Sequence, residues 1–257
     1  MTIRVAVLGA SGRMGQRVTA EVLADPDCAL VALVDSPRSP TLGQKVGDIS
    51  IGVLDSGVFD SADVVIDFSE PTALEAALPY LASAALVTGT TGLALEQQRA
   101  LEASGADRAV LQAANFSTGV NVLLDLVRRA ARTLGDYDIE VIEAHHRNKV
   151  DAPSGTALAL GRAAAAGRQR SLDELAVHGR RGLTGVRPAG EIGFHALRGG
   201  DVAGDHTVWI AGSGERIELR HVASSRATFA KGAVRAAKWL AGRPAGAYNM
   251  SDVLNLD

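Results

Sequence analysis

Near the start of the chain the apolar, β-branched run Ile3-Arg4-Val5-Ala6-Val7-Leu8 stops abruptly at Gly9-Ala10-Ser11-Gly12-Arg13-Met14-Gly15. Gln16 to Leu23 then carry apolar residues at 18, 22 and 23 and read as a helix, and a second apolar run, Ala29 to Val34, ends at Asp35. Strand, glycine turn, helix, strand and acidic residue is the order of a βαβ dinucleotide-binding unit. Gly9 allows the tight turn, Gly12 lets the backbone approach a pyrophosphate, and Gly15 permits close packing of helix on strand. N–H groups at the helix start, reinforced by the helix dipole, then face the phosphates. The glycines are spaced G-x-x-G-x-x-G rather than the commoner G-x-G-x-x-G, so the inference rests on their place after the first strand and on Asp35, 20 residues beyond Gly15.

Asp35 is suited to accept hydrogen bonds from adenosine ribose hydroxyls, which favours NADH. Its carboxylate would repel a 2′-phosphate unless a cation such as Arg13 or Arg38 compensates, so use of NADH, NADPH or both is expected. Further on, Asp63-Val64-Val65-Ile66-Asp67-Phe68 reads as a buried strand, and Ser69-Glu70-Pro71-Thr72 opens a helix with Pro71 in its first turn. Ala85 to Thr88 leads into Gly89-Thr90-Thr91-Gly92, and Ala109 to Gln112 into Ala113-Ala114-Asn115-Phe116. Ligands of open parallel sheets sit beyond the carboxyl ends of the strands, so the loops at 89–91 and 113–116 are expected to border the nicotinamide.

The centre of the chain has a different chemistry. A helix from about Gly119 to Leu134 and a strand from Asp138 to Glu143 run into Ala144-His145-His146-Arg147-Asn148-Lys149-Val150-Asp151-Ala152-Pro153-Ser154-Gly155-Thr156. Beyond Pro153 the apolar pattern from Ala157 to Ala166 is helical, and Ser154 is a good N-cap candidate. Cations beside an open helix start form a receptor for carboxylates or phosphate. Adjacent residues on a strand point to opposite faces, so His145 and His146 are expected to diverge. Clustered His and Lys also occur on solvated loops, so the residues alone leave open whether these act in catalysis.

The segment E-A-H-H-R-N-K-V-D-A-P-S-G-T-A resembles the signature of the dihydrodipicolinate reductase family, and G-A-S-G-R-M-G resembles that family's nucleotide loop. G-T-T at 89–91, A-A-N-F-S at 113–117, Arg216-Ile217-Glu218-Leu219 and Ala223-Ser224-Ser225-Arg226 are similar to it in the same order, so the resemblance covers essentially the whole chain. The family often has a histidine where Asn148 stands, and the acidic position is Asp35 rather than glutamate; the second departure bears on coenzyme preference. The resemblance implies NAD(P)H-dependent reduction of a small cyclic dicarboxylate in lysine and diaminopimelate biosynthesis, with the hydrated 4-hydroxy ring as substrate. It implies that His145 donates or accepts a proton and that Lys149 is a second proton donor. His146, Ser154, Gly155 and Thr156 would hold the substrate carboxylates. Gly9, Ala10, Ser11, Gly12, Arg13, Met14, Gly15, Asp35, Gly89, Thr90, Thr91, Ala113, Ala114, Asn115 and Phe116 would bind the coenzyme.

The chemistry of the reaction is compatible with those roles. Hydride addition to a conjugated carbon–nitrogen ring builds negative charge that needs a proton and an offsetting cation. Histidine titrates nearest neutral pH, and a dianionic substrate favours the protonated forms of His145 and Lys149. A metal is not expected, because no Cys lies nearby and helical His spacing is missing. His178, His195, His206 and His221 read as isolated surface or packed residues.

The remainder reads as Gly190–Arg198, His206–Gly212 and Glu215–Ala223 strands that join strand 138–143 in a mixed sheet with helices on one face. Arg168 to Pro188 reads as a long loop with a short helix at 171–176, and Ser225 to Leu240 as a helix returning to the nucleotide domain. The expected fold is α/β: a discontinuous Rossmann domain of residues 1–117 and 227–257, and a smaller α+β domain of residues 118–226 for substrate and oligomerisation. The family implies a homotetramer built through the second sheet, and hinges near 117 and 226 suggest closure over ligands. A net charge of −3 without a basic run argues against nucleic acid, and no apolar stretch is long enough for a bilayer. Cys28 is the only cysteine, and Met1-Thr2-Ile3-Arg4 shows no signal sequence, so the cytoplasm is the expected compartment. Another two-domain Rossmann dehydrogenase is the nearest rival, and the H-H-R-N-K segment before P-S-G-T argues against it. A nucleotide-sensing regulator would need a further module, for which no segment is spare.

Overall fold

The computed structural model describes residues 2–256, so positions 1 and 257 of the expected domain limits lie outside it. In chain order the first half contains β1 (Ile3–Leu8), α1 (Arg13–Ala24), β2 (Cys28–Val34), β3 (Lys45–Val46), β4 (Ile49–Gly52), β5 (Val64–Asp67), α2 (Pro71–Ala77), β6 (Ala85–Thr88), α3 (Leu95–Ser104) and β7 (Ala109–Gln112). The second half contains α4 (Thr118–Thr133), β8 (Asp138–His145), α5 (Gly155–Gly167), α6 (Leu172–Leu175), β9 (Ala176–His178), β10 (Ile192–Arg198), β11 (Asp205–Ala211), β12 (Arg216–Val222), α7 (Ala227–Leu240), β13 (Gly246–Tyr248) and α8 (Met250–Leu254). The chain forms two compact units: one runs up to Thr118 and resumes over Ala227–Asn255, and the other spans Gly119–Arg226.

The first unit is built on an eight-stranded sheet of order β13-β7-β6-β5-β1-β2-β4-β3, parallel except for the β3–β4 pair. Its strands are apolar on both faces because both faces are covered. Val5, Val7, Val64 and Ile66 pack with Val18 and Val22 of α1 and the alanine-rich face of α7. Their alternating neighbours Ala6, Leu8 and Val65 pack on the other side with Leu74 of α2 and Leu101 of α3. The chain leaves β1 toward β2 and later places β5 on the opposite flank of β1. The carboxyl ends of β1 and β5 therefore border a topological switch point, the place where doubly wound folds hold ligands.

The second unit is a five-stranded mixed sheet of order β12-β11-β8-β10-β9. β8 alternates strictly: Ile139, Val141, Glu143 and His145 are buried, whereas Asp138, Glu140, Ile142 and Ala144 are half-buried on the other face. Residues on the buried face pack with Leu123 and Val127 of α4 and Ala157, Leu160 and Ala164 of α5, at the three- and four-residue spacings of a helix face. Gly161 admits the Phe194 ring, since a Cβ there would stand 2.4 Å from Cζ. The stretch expected as a loop from Arg168 to Pro188 instead contributes an edge strand, β9, paired parallel to β10.

Candidate active site

In the first unit, Gly9 turns the chain after β1 with φ +79, and a Cβ there would stand 2.9 Å from the Phe68 carbonyl oxygen. A Cβ on Gly15 would stand 2.0 Å from the Gly9 carbonyl oxygen, so α1 packs against the turn at a distance that only glycine permits. Gly12 is the N-cap and α1 begins at Arg13, three residues before the expected start at Gln16. Met14 is partly buried against the core, and Arg13 is exposed. Ala10 is buried, its N–H donating to the Val34 carbonyl at 3.1 Å.

Asp35 stands directly beyond β2 and already serves the turn. Its Oδ2 accepts the Ser11 N–H at 2.5 Å and its Oδ1 accepts the Ser36 N–H at 2.7 Å. The Ser11 hydroxyl bonds to Ser39 at 3.0 Å and to Thr41. A cavity of about 640 Å³ lies at the switch point, lined by Gly9, Gly12, Asp35, Ser36, Phe68 and Ser69 among others. Its volume is that of a cofactor site. A turn with glycine at positions 9 and 12, a helix start and a carboxylate beside it form a donor and acceptor set suited to a pyrophosphate and a ribose.

The loops after β6 and β7 meet, with Thr90, Thr91, Ala113 and Ala114 lining one pocket. Gly89 is required because the Phe68 ring lies on it, 2.2 Å from where a Cβ would be. Asn115 caps its own loop, accepting the Ser117 N–H at 2.8 Å. Phe116 is 1% exposed and packs edge-on to Phe68 at 5.4 Å, so its side chain belongs to the core. Sequence reasoning passed over Asp67. This fully buried carboxylate accepts the Thr88 and Thr90 hydroxyls at 2.6 and 2.7 Å, and the Ser69 hydroxyl and N–H at 2.5 and 2.9 Å. It ties the ends of β5 and β6 together.

In the second unit, Glu143 is the hub. Its carboxylate accepts His145 Nδ1 at 2.5 Å, the Ser154 N–H at 3.1 Å and both terminal nitrogens of Arg198 at 2.8 Å. Burial alone would raise its pKa; the bonds from Arg198 first, then His145 and Ser154, outweigh this and hold it below the usual glutamate range. Ser154 caps α5 by accepting the Ala157 N–H at 3.2 Å, and its hydroxyl also meets His206 Nε2 at 3.0 Å. A Cβ on Gly155 would meet nothing within 4 Å, and Thr156 follows in the first turn of α5.

His145 and His146 do diverge. His145 is buried beside Glu143, whereas His146 is half-buried and accepts a hydrogen bond from Arg226 Nη2 at 3.1 Å. Lys149 is paired with Asp151 at 2.7 Å, a contact that pulls the Asp151 carboxyl below its usual range. His206, expected to be isolated, is 4% exposed and stacks edge-on with His145 at 5.0 Å. Burial, then the neighbouring His145, pushes its pKa down to about 4, so it is neutral at pH 7. Of the other three, His195 pairs with Glu140 at 2.7 Å and His178 stacks on Phe194. Among the described residues, no group of three or more His, Cys, Asp or Glu could hold a metal.

Family models described as dihydrodipicolinate reductase, N-terminus and C-terminus, match residues 3–116 and 119–254. This chain belongs to the dihydrodipicolinate reductase family. It is 51% identical to the 4-hydroxy-tetrahydrodipicolinate reductase of Pseudomonas fluorescens (strain SBW25), over 98% of this chain and 99% of the relative. It is 52% identical to the enzyme of that name from Alkalilimnicola ehrlichii, over 100% of both chains. The dipicolinate-bound dihydrodipicolinate reductase of Paenisporosarcina sp. TG-14 has a similar structure, with TM-score 0.78, 26% identity and coverage of 97% and 98%.

Within that family's signature segment, Glu143 was not singled out, although it stands two residues before His145, where strand alternation puts both side chains on one face. Arg198 and His206 were not visible in this way, because each joins the site through pairing with β8 from more than fifty residues away. Among the described residues, no helix is long and apolar enough to cross a membrane.

Proposed function

We propose that this reductase converts 4-hydroxy-tetrahydrodipicolinate to tetrahydrodipicolinate with NADH or NADPH, in the lysine and diaminopimelate route. The first unit, residues 1–117 with 227–257, acts as the coenzyme domain, and residues 118–226 as the substrate and assembly domain. The observation that carries the reading is the buried Glu143–His145 pair at 2.5 Å, set in a segment that also brings Lys149, His146 and the start of α5.

Bound reduced nicotinamide supplies the hydride. Gly9 to Gly15 hold the pyrophosphate, Asp35 the ribose, and Gly89 to Thr91 with Ala113 to Phe116 the nicotinamide end. The backbone of Gly155 and Thr156, with His146, binds the substrate carboxylates, an arrangement favoured by the positive end of the α5 dipole. Ser154 contributes by capping that helix, since both its hydroxyl and its N–H are engaged within the protein. His145 donates a proton from Nε2, and Lys149, released from Asp151 by the dianion, offsets the ring's developing charge and acts as a second proton donor. Water is lost from the hydrated ring before or during reduction.

Several exposed apolar residues on the second sheet, Leu197, Ile217 and Val222, support assembly through that sheet into a homotetramer. A biosynthetic enzyme of this kind works in the cytoplasm. The test is coupled: the product of dihydrodipicolinate synthase is supplied, and loss of absorbance is followed separately with NADH and NADPH. Oxidation of either coenzyme that depends on that product is expected; none with either would overturn the assignment.

A further inference from the structure

The hub of the second unit does more than hold a loop. On β8, Glu143 and His145 share the buried face; on the paired strands, Arg198 stands opposite His145 and His206 opposite Glu143. Four charged or titratable side chains from three adjacent strands therefore converge under the helix layer. The ionised Glu143 carboxylate can only accept hydrogen bonds. Its contact with His145 Nδ1 thus requires a proton on Nδ1, leaving Nε2 as the atom that exchanges a proton with a ligand. Nε2 faces Gly204, where an added Cβ would stand 3.1 Å from it.

Arg198 sets the Glu143 carboxylate. Its two terminal nitrogens grip both carboxylate oxygens, and they also donate to the Leu197 and Asp151 carbonyls at 2.7 Å. The fork geometry leaves Glu143 one orientation in which to meet Nδ1. The same guanidinium fixes the loop that carries Lys149 and leads to Ser154. His206 is neutral at pH 7 and adds no competing charge.

We propose that Glu143, clamped by Arg198, is a positioning residue for the reduction: it fixes His145 as the Nδ1–H tautomer and stabilises its imidazolium, so that Nε2 is the proton-donating atom. The proposal rests on the reductase reading. It differs from a purely structural role in what the ring nitrogens and the pH profile must show. A structural Glu143 would lower activity equally at every pH. A positioning Glu143 matters most where protonated His145 is scarce, so the loss on substitution grows as pH rises.

Ring-nitrogen NMR on the ¹⁵N-histidine-labelled enzyme, with peaks assigned through His145→Gln, reads the tautomer directly. Neutral His145 protonated at Nδ1 is expected; a proton on Nε2 overturns the proposal without any variant of Glu143 having to fold. Glu143→Gln is expected to lose about 10²-fold in kcat at neutral pH, within the range for general acid–base catalysis. That loss should shrink toward low pH, while the KM for coenzyme stays unchanged. Glu143→Asp, which keeps the charge, should recover part of the rate. A loss independent of pH, or Gln and Asp variants that behave alike, overturns the proposal. Failure of the wild-type enzyme to turn over 4-hydroxy-tetrahydrodipicolinate would instead overturn the reductase reading, and the NMR result separates the two.

Discussion

Asp67 and Thr90 meet through a 2.7 Å hydrogen bond at the carboxyl end of β5, with both side chains buried and the Thr88 hydroxyl on the same carboxylate oxygen. The carboxylate adds side-chain bonds to the backbone bond that joins the ends of β5 and β6, from the Gly89 N–H to the Asp67 carbonyl at 2.8 Å, and so shapes the Gly89-Thr90-Thr91 loop. Removing it strands several buried donors, each costing about 1–3 kcal/mol if left unpaired. Asp67→Ala is therefore expected to lose several kcal/mol by urea denaturation. The isosteric Asp67→Asn should keep the fold but raise the coenzyme KM severalfold, because an amide presents donors to hydroxyls that now donate. An unchanged coenzyme KM in Asp67→Asn would separate this carboxylate from coenzyme binding.

The role proposed for Asp35 predicts coenzyme discrimination. Its oxygens hold the Ser11 and Ser36 N–H groups, so Asp35→Asn preserves part of the turn while removing the charge. NADH affinity is expected to fall by about 10-fold, as for loss of a charge-assisted hydrogen bond. NADPH should lose less, because repulsion of the 2′-phosphate disappears at the same time. Fluorescence titration of both coenzymes measures the ratio, and equal losses would remove the ribose contact.

Much of this was legible in the sequence, for reasons that differ by element. β6 and β7 run over Ala85–Thr88 and Ala109–Gln112, as the apolar runs predict, because two-sided burial leaves the strand uninterrupted by polar residues. α3 was invisible because only Leu101 is buried on it, too little apolar periodicity to stand out. β9 and β13 are three residues each and exist through their neighbours β10 and β7. In the site, the glycine turn and the His145–Thr156 segment are local in sequence, and local patterns reveal them. Arg198 and His206 carry no local mark; strand pairing brings them to Glu143 and Ser154. His206 looked isolated for that reason, although it touches His145.

His206 makes the stability of the protein depend on pH. Its folded pKa, about 4, lies below the ordinary 6.5, so the unfolded chain binds the extra proton between those values. The stabilisation is complete above pH 6.5 and is lost as pH falls toward 4, by an amount on the order of 3 kcal/mol. His206→Gln can still bond to Ser154 but does not titrate there. Urea midpoints of the wild type should drop between pH 6.5 and 4.5, above the range in which the lowered carboxyls of Glu143 and Asp151 take up protons. The variant should show a flatter curve, and parallel curves would mean that His206 is not the group responsible.

His145 and Lys149 are assigned different shares of the same step, and single substitutions tell them apart. His145→Ala leaves Glu143 with Arg198 and the Ser154 N–H, which keep its carboxylate satisfied, so the fold should hold. Its kcat is expected to fall by 10²–10⁴-fold, the usual contribution of a positioned proton donor. Lys149→Ala frees Asp151 at a site meant for a dianion, so it should raise the substrate KM as well as lower kcat; Lys149→Arg, which keeps the charge, should restore KM more than kcat. Both Ala variants should bind NADH and NADPH as the wild type does, since the residues proposed to hold the coenzyme belong to the other unit. Steady-state kinetics and coenzyme titration of the three variants check this, and normal turnover in both Ala variants would overturn the assigned roles.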